Sequence, residues 1–237
     1  MSAFAESLST AVGLVRDVDP QLTRIVLLSL TVSGTACLIG ALFGLVSGAW
    51  LAVTRIPGRR VLIAALNTLL GLPSVVVGLI VYLLLSRSGP LGSWGILFTP
   101  KAMVIAQSIL VLPVIAALSR QLVADSLREG GDQLGSMGAG PLTRALLMLV
   151  HERWSVVTVL LTAFGRAVSE VGAVMIVGGN IDGVTRVITT TIALETSKGD
   201  LPLALALGLI LLVVVGMINA AVALSPGAKR QTAGGAR

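Results

Sequence analysis

The sequence predicts an all-α, polytopic membrane protein with about five transmembrane helices, and three observations carry that reading. Hydrophobic residues make up 55% of the 237 and charged residues only 12%. A soluble domain carries about twice that charge. Five apolar segments, near 25–53, 61–85, 102–119, 155–178 and 203–224, are close to or above the roughly 20 residues that span a bilayer. One polar, glycine-punctuated stretch, residues 124–153, separates the third from the fourth.

Residues 1–20 read as a short interfacial helix, because Phe4, Leu8, Ala11, Val12 and Val15 recur at helical spacing. They lack the basic start and small-residue cleavage site of a signal peptide. The first apolar segment is too long for an upright span, so it is expected to tilt or to protrude into water. Within it Gly40, Gly44 and Gly48 recur every fourth residue and leave a smooth face for close helix contact. Packing within the bundle and pairing between two copies both satisfy that pattern. Pro73 and Pro113 fall inside the second and third segments, where membrane helices tolerate kinks. The polar stretch reads as two short amphipathic helices, about 124–134 and 142–150, flanking a turn at Gly138-Ala139-Gly140-Pro141. After the fourth segment, Gly179-Asn180-Ile181-Asp182-Gly183 is turn chemistry. The Thr-rich run 184–196 is too polar to span. It either folds back over a pore as a gate or lies flat as an amphipathic surface helix. The expected domains are therefore an N-terminal segment 1–20, a membrane domain 21–225 and a tail 226–237.

Lysine and arginine set the expected orientation. Arg55, Arg59 and Arg60, then Arg120, Arg128, Arg144 and Arg153, then Lys229, Arg230 and Arg237 fall on one side. Arg16, Arg24, Arg87, Lys101, Arg186 and Lys198 fall on the other. The positive-inside rule puts the richer side, with the 124–153 loop and the tail, in the cytoplasm and the N-terminus outside. The net charge of +6 is scattered over segment ends, which is a topology signal and not a nucleic-acid patch.

Few residues carry chemistry. Cys37 is the only cysteine, so it forms no internal disulfide and no Cys metal cluster; it reads as a small buried residue. His151 is the only histidine and reads as solvated or capping. There is no Ser/His/Asp set, no metal-ligand spacing and no phosphate loop, so no catalytic residue is expected and any ATP is bound by another chain. Arg166 and Glu170, four apart in the fourth segment with Ser169 between them, are placed to pair on one helix face. Charges in a span usually face a bundle interior or a watery path. Two readings stand: a pair that braces the helix, or a polar lining of a translocation route. In the gate reading Asn180, Thr189 and Thr190 join Arg166, Ser169 and Glu170 as pathway candidates.

The polar stretch resembles the cytoplasmic EAA loop of bacterial ABC-importer permeases, whose pattern is Glu-Ala-Ala, three residues, then Gly. Asp132-Gln133-Leu134-Gly135-Ser136-Met137-Gly138-Ala139 fits with Asp in the Glu place. A second register starts at Glu129-Gly130-Gly131 and reaches Gly135, and neither register has the Ala-Ala pair. The resemblance covers residues 25–225. Ser29-Leu30-Thr31-Val32-Ser33 is similar to the start of the permease core, and Arg87-Ser88-Gly89-Pro90-Leu91-Gly92 with Leu97-Phe98-Thr99 to the outer loop of oxyanion permeases. The stretch 164–181, with Thr185-Arg186-Val187 and residues 194–200, is most similar to tungstate-importer permeases; molybdate permeases have Gly-Glu-Phe-Gly in place of Ser169-Glu170-Val171-Gly172.

This resemblance implies a type I ABC-importer permease fold in a bacterial inner membrane. It implies import of an oxyanion, most closely tungstate, with molybdate or sulfate as the alternative. It implies a homodimer with two ATPase subunits that bind ATP and Mg, no cofactor on this chain, and an extracytoplasmic oxyanion-binding protein. Asp132, Gln133, Leu134, Gly138 and Ala139 become the ATPase-coupling loop. Two other classes are a channel or scaffold without an ATPase, which leaves that loop unexplained, and a membrane-embedded enzyme, for which only Glu170 lies at the right depth. Neighbouring genes for an ATPase and a secreted binding protein discriminate among them.

Overall fold

A computed structural model describes residues 20–136 and 138–224, the side chains of 129–136 aside, together with Ala5, Leu8, Ser9, Val12, Gly13 and Arg16. The interfacial helix expected over 1–20 lies mostly outside the described residues, and the tail 226–237 wholly so. The described residues form helices and turns without a strand. In chain order the helices are α1 Pro20–Val53, α2 Arg59–Leu69, α3 Ser74–Leu85, α4 Pro100–Ser136, α5 Pro141–His151, α6 Arg153–Val168, α7 Gly172–Gly178, α8 Ile188–Lys198 and α9 Leu201–Leu224, with a 3-10 turn at Gly92–Trp94.

By length and composition α1, α4 and α9 can each cross a bilayer, and five segments can if α2 with α3 and α5 with α6 each count as one bent span. Exposed Leu38, Leu42, Phe43, Leu212 and Val213 on α1 and α9 fit a lipid solvent. The chain is a multi-pass, all-α membrane protein.

Three boundaries differ from the sequence reading. The second segment breaks at residues 70–73: Pro73 has no N–H and disfavours helix at Leu72, so α2 stops and α3 restarts from an extended Pro73, at ψ 120°. The third segment does not end near 119. α4 runs on to Ser136 and absorbs the first of the two short helices expected in the polar stretch. The fourth segment breaks after Val168 and resumes as α7.

The chain divides into two compact units. The first comprises Met1–Ala36, Pro73–Gln107 and Arg166–Met217. Its core joins Leu22 and Ile25 of α1 to Ile188 of α8 and Ala206 and Leu207 of α9. α3 buries Val77, Val81 and Leu85, spaced by one turn along a single face. The second unit comprises Cys37–Leu72, Ser108–Gly165 and Ile218–Arg237. Here Ala49 and Val53 of α1 meet Val123 of α4 and Ala145 of α5.

The glycine series of α1 packs inside this second unit. Cβ atoms built on Gly40 and Gly44 would come within 3.1 Å and 3.0 Å of Ile115 side-chain atoms, and one on Gly48 would overlap the Ala116 backbone carbonyl. α1 and α4 therefore touch backbone to backbone, which explains the four-residue repeat without a second copy. Ser119 Oγ, also on α4, donates to Leu45 O of α1 at 2.9 Å. Cys37 is buried, as expected, with its Sγ 3.6 Å from Leu160 O.

Candidate functional site

Two regions carry the candidate residues. The first is the break between α6 and α7, in the first unit. The Glu170 carboxylate oxygen Oε1 accepts the backbone N–H groups of Val171 at 3.0 Å and Gly172 at 2.9 Å. These are donors that the first turn of a helix leaves without an internal partner. A side chain that bonds its own neighbouring backbone competes with helix continuation, so Glu170 stabilises the break itself. Thr189 Oγ1 donates to Glu170 O at 2.8 Å and ties the break to α8. Gln107 of α4, 3% exposed, donates Nε2 to Ala167 O at 3.0 Å, just before α6 ends.

Glycine lets the two interrupted spans touch here. A Cβ on Gly172 would lie 2.8 Å from Ser74 Oγ, and one on Gly78 would lie 2.8 Å from Ala173 Cα. The start of α3, after its proline break, thus rests directly on α7.

The expected pairing of Arg166 with Glu170 does not form. An i,i+4 pair needs an unbroken helix, and α6 stops at Val168. Arg166 is exposed in the last turn of α6, where a cation complements the negative helix end. Among the described residues it has no ion-pair partner. Ser169 is exposed and Glu170 half-buried.

The connection from α7 to α8 is held by its own polar groups. Asn180 adopts a left-handed φ of 50° and donates Nδ2 to Thr190 O at 3.3 Å. Thr185 Oγ1 donates to Gly178 O at 2.6 Å and accepts Ile181 N–H at 2.9 Å. Thr190 is fully buried, and its Oγ1 accepts Val187 N–H at 3.2 Å, capping α8. α8 buries Ile188, Thr189, Thr190, Thr191 and Glu195 and leaves Ala193, Thr196, Ser197 and Lys198 exposed. A cap, two threonine anchors and a polar face turned inward allow a segment too polar to span to be held within the unit.

The second region is the Gly138 turn, in the second unit. Gly138 has φ +77°, and no atom of the described residues lies within 4 Å of the Cβ it lacks. Glycine is needed there for backbone conformation and not for space. Ala139 and an extended Gly140 deliver Pro141 to the first position of α5, where its missing N–H costs nothing. Asp132, Gln133 and Leu134 fall in the last turns of α4, with side chains outside the described residues. α5 turns Ala145, Met148 and Leu149 inward. It leaves Leu142, Leu146, Leu147 and Val150 exposed, Val150 by 64%. α5 then bends by 83° into α6 at Glu152, whose carboxylate accepts Ser155 Oγ–H at 3.0 Å.

Sequence reasoning missed Gln107 and the contact of Gly78 and Gly172 with neighbouring backbone. For Gln107 a signal was present, an amide inside the apolar run 102–119. For the glycines only the fold supplies the partner.

Interrupted spans, charged residues at a break and a glycine turn presenting an apolar helix together define a membrane-embedded transport subunit. The chain belongs to the permease family of ABC importers. It is 43% identical over 225 residues to the tungstate uptake system permease protein TupB of Peptoclostridium acidaminophilum, covering 94% of this chain and 97% of that one. It is 43% identical over 204 residues to a probable anion ABC transporter permease protein of Haloferax volcanii, covering 84% and 88%. The sulfate transport system permease protein CysW of Escherichia coli is more distant, 30% identical over 181 residues, covering 70% and 60%. No protein-family model matches the chain.

Proposed function

We propose that this chain is the permease of an ATP-driven tungstate importer, working as two copies with two ATPase subunits and an external binding protein. The observation that carries the reading is the 43% identity, over 94% of the chain, to a tungstate uptake permease. A bare dianion does not dissolve in hydrocarbon, so it needs a polar route enclosed by protein. Arg166 lies about 20 Å along α6 from Arg153, by the helical rise. An exposed guanidinium at that depth is costly against lipid, and a second copy enclosing a watery path removes the cost. The outward stripe of α5 fits a hydrophobic groove on the ATPase, which binds ATP and Mg; this chain binds no cofactor.

Uptake in cells lacking this chain tests the reading. Restoring it should restore tungstate uptake, with molybdate and sulfate competing weakly. The sulfate relatives support a second reading, and preferential sulfate uptake would establish it. No oxyanion uptake at all would refute both.

The orientation has its own test. In a Cys37→Ala background, Asp182→Cys should react with an impermeant thiol reagent added from outside, and Ser136→Cys only after the membrane is opened. The reverse pattern means the chain is inverted.

A further inference from the structure

In the second unit, the connection from α1 to α2, α4 and the first turn of α5 border a half-open cavity of about 470 Å³, lined by Thr54, Arg55, Arg59, Leu127 and Arg144 together with Ala52 and Val53. Three of these are arginines, and none of the described residues that line it carries a carboxylate. Arg59 is held in place: Nε donates to Leu51 O at 2.9 Å and Nη2 to Ala52 O at 3.1 Å, so the last turn of α1 orients its guanidinium. Arg144 Nε is buried and meets no acceptor among the described residues. A buried guanidinium N–H without an acceptor is destabilising, and three like charges around one space repel. An anion in the cavity removes both penalties.

We propose that Arg55, Arg59 and Arg144 bind one tetrahedral oxyanion. The guanidinium fork matches the oxygen edges of such an ion, and the volume admits one with several waters. Two sources share this chemistry: the imported dianion and the phosphate of an anionic lipid, which basic pockets beside a membrane recognise. The first source rests on the tungstate reading and the second does not. Either would bridge α5, which carries the exposed apolar stripe, to the end of α1.

The test uses the full chain, purified with the partners it retains, in nanodiscs and without ATP. In phosphatidylcholine discs, tungstate and inorganic phosphate binding is measured by equilibrium dialysis. In discs containing phosphatidylglycerol, retained lipid is counted by native mass spectrometry. We expect one oxyanion per chain, or one retained phosphatidylglycerol per chain if lipid is the source. Arg144→Gln and Arg55→Gln should each weaken that binding tenfold or more, while Arg128→Gln, an exposed residue paired with Asp125, should not. Arg55 is an exposed loop residue, so its variant reads the site even where Arg144→Gln fails to fold. No binding of any of the three probes, or binding unchanged in the Arg55 variant, overturns the proposal. Loss of this binding with tungstate uptake intact identifies the site and leaves the transport reading standing. Absent uptake with intact phosphate or lipid binding does the reverse.

Discussion

Replacing Gly48 with leucine should destabilise the second unit enough to lower yield and melting temperature. A Cβ at this position lands on the Ala116 carbonyl, a backbone atom that no rotamer change can move. Forcing atoms into a packed contact costs roughly 1–3 kcal/mol, and more when a helix must shift. The leucine also gains about 1 kcal/mol of helix propensity over glycine, which partly offsets the cost. Gly216→Leu isolates the packing contribution, because no atom of the described residues lies within 4 Å of the Cβ that Gly216 lacks. Thermal unfolding in detergent should show Gly48→Leu several degrees below wild type and Gly216→Leu near it. Equal melting of the two variants would mean α1 and α4 are not in backbone contact at this level.

Glu170→Ala should cost both stability and transport, and Arg166→Ala should not rescue it. The Glu170 carboxylate serves two backbone donors at the break, Val171 N–H and Gly172 N–H. Alanine leaves both without that acceptor, at roughly 1–3 kcal/mol for each donor that finds no other. Glu170→Gln keeps an oxygen acceptor and removes the charge, so it should fold nearly as well as wild type. Because Arg166 and Glu170 do not pair, the double variant Arg166→Ala with Glu170→Ala should show the sum of the two single effects. Uptake should fall tenfold or more in Glu170→Ala and remain measurable in Glu170→Gln. Recovered stability in the double variant would show that the two charges pair after all.

This second expectation reverses the one drawn from spacing alone. Spacing of four places two residues on one face only while the helix continues. The residues that end it, Ser169, Glu170 and Val171, look unremarkable in an apolar run. Glu170 breaks the helix because its carboxylate competes for local N–H groups, and that competition wins only where Thr189 and Gln107 also bond the broken turn. Those partners lie 19 and 60 residues away from the atoms they bind, so no local pattern contains them. α4 shows the opposite error. Residues 124–134 read as a separate short helix after the third span, yet the span's own helix continues through Gly130-Gly131 to Ser136 without a break. Pro113 did not stop it either, whereas the second segment breaks just before Pro73.

The sequence by itself determined that the chain crosses a membrane several times, where its apolar segments lie, that a glycine turn follows residue 137, and which transporter family its motifs resemble. Each of these rests on composition, local backbone preference or a contiguous motif. Only the tertiary structure decided which glycines are buried against backbone, that Arg166 stands exposed while Glu170 caps a helix, that the threonine-rich run buries Thr185, Thr189, Thr190 and Thr191, and that arginines from the α1–α2 connection, the start of α2 and α5 line one cavity. These depend on which distant segments meet, and that is fixed by packing across the fold, not by the order of residues along one helix.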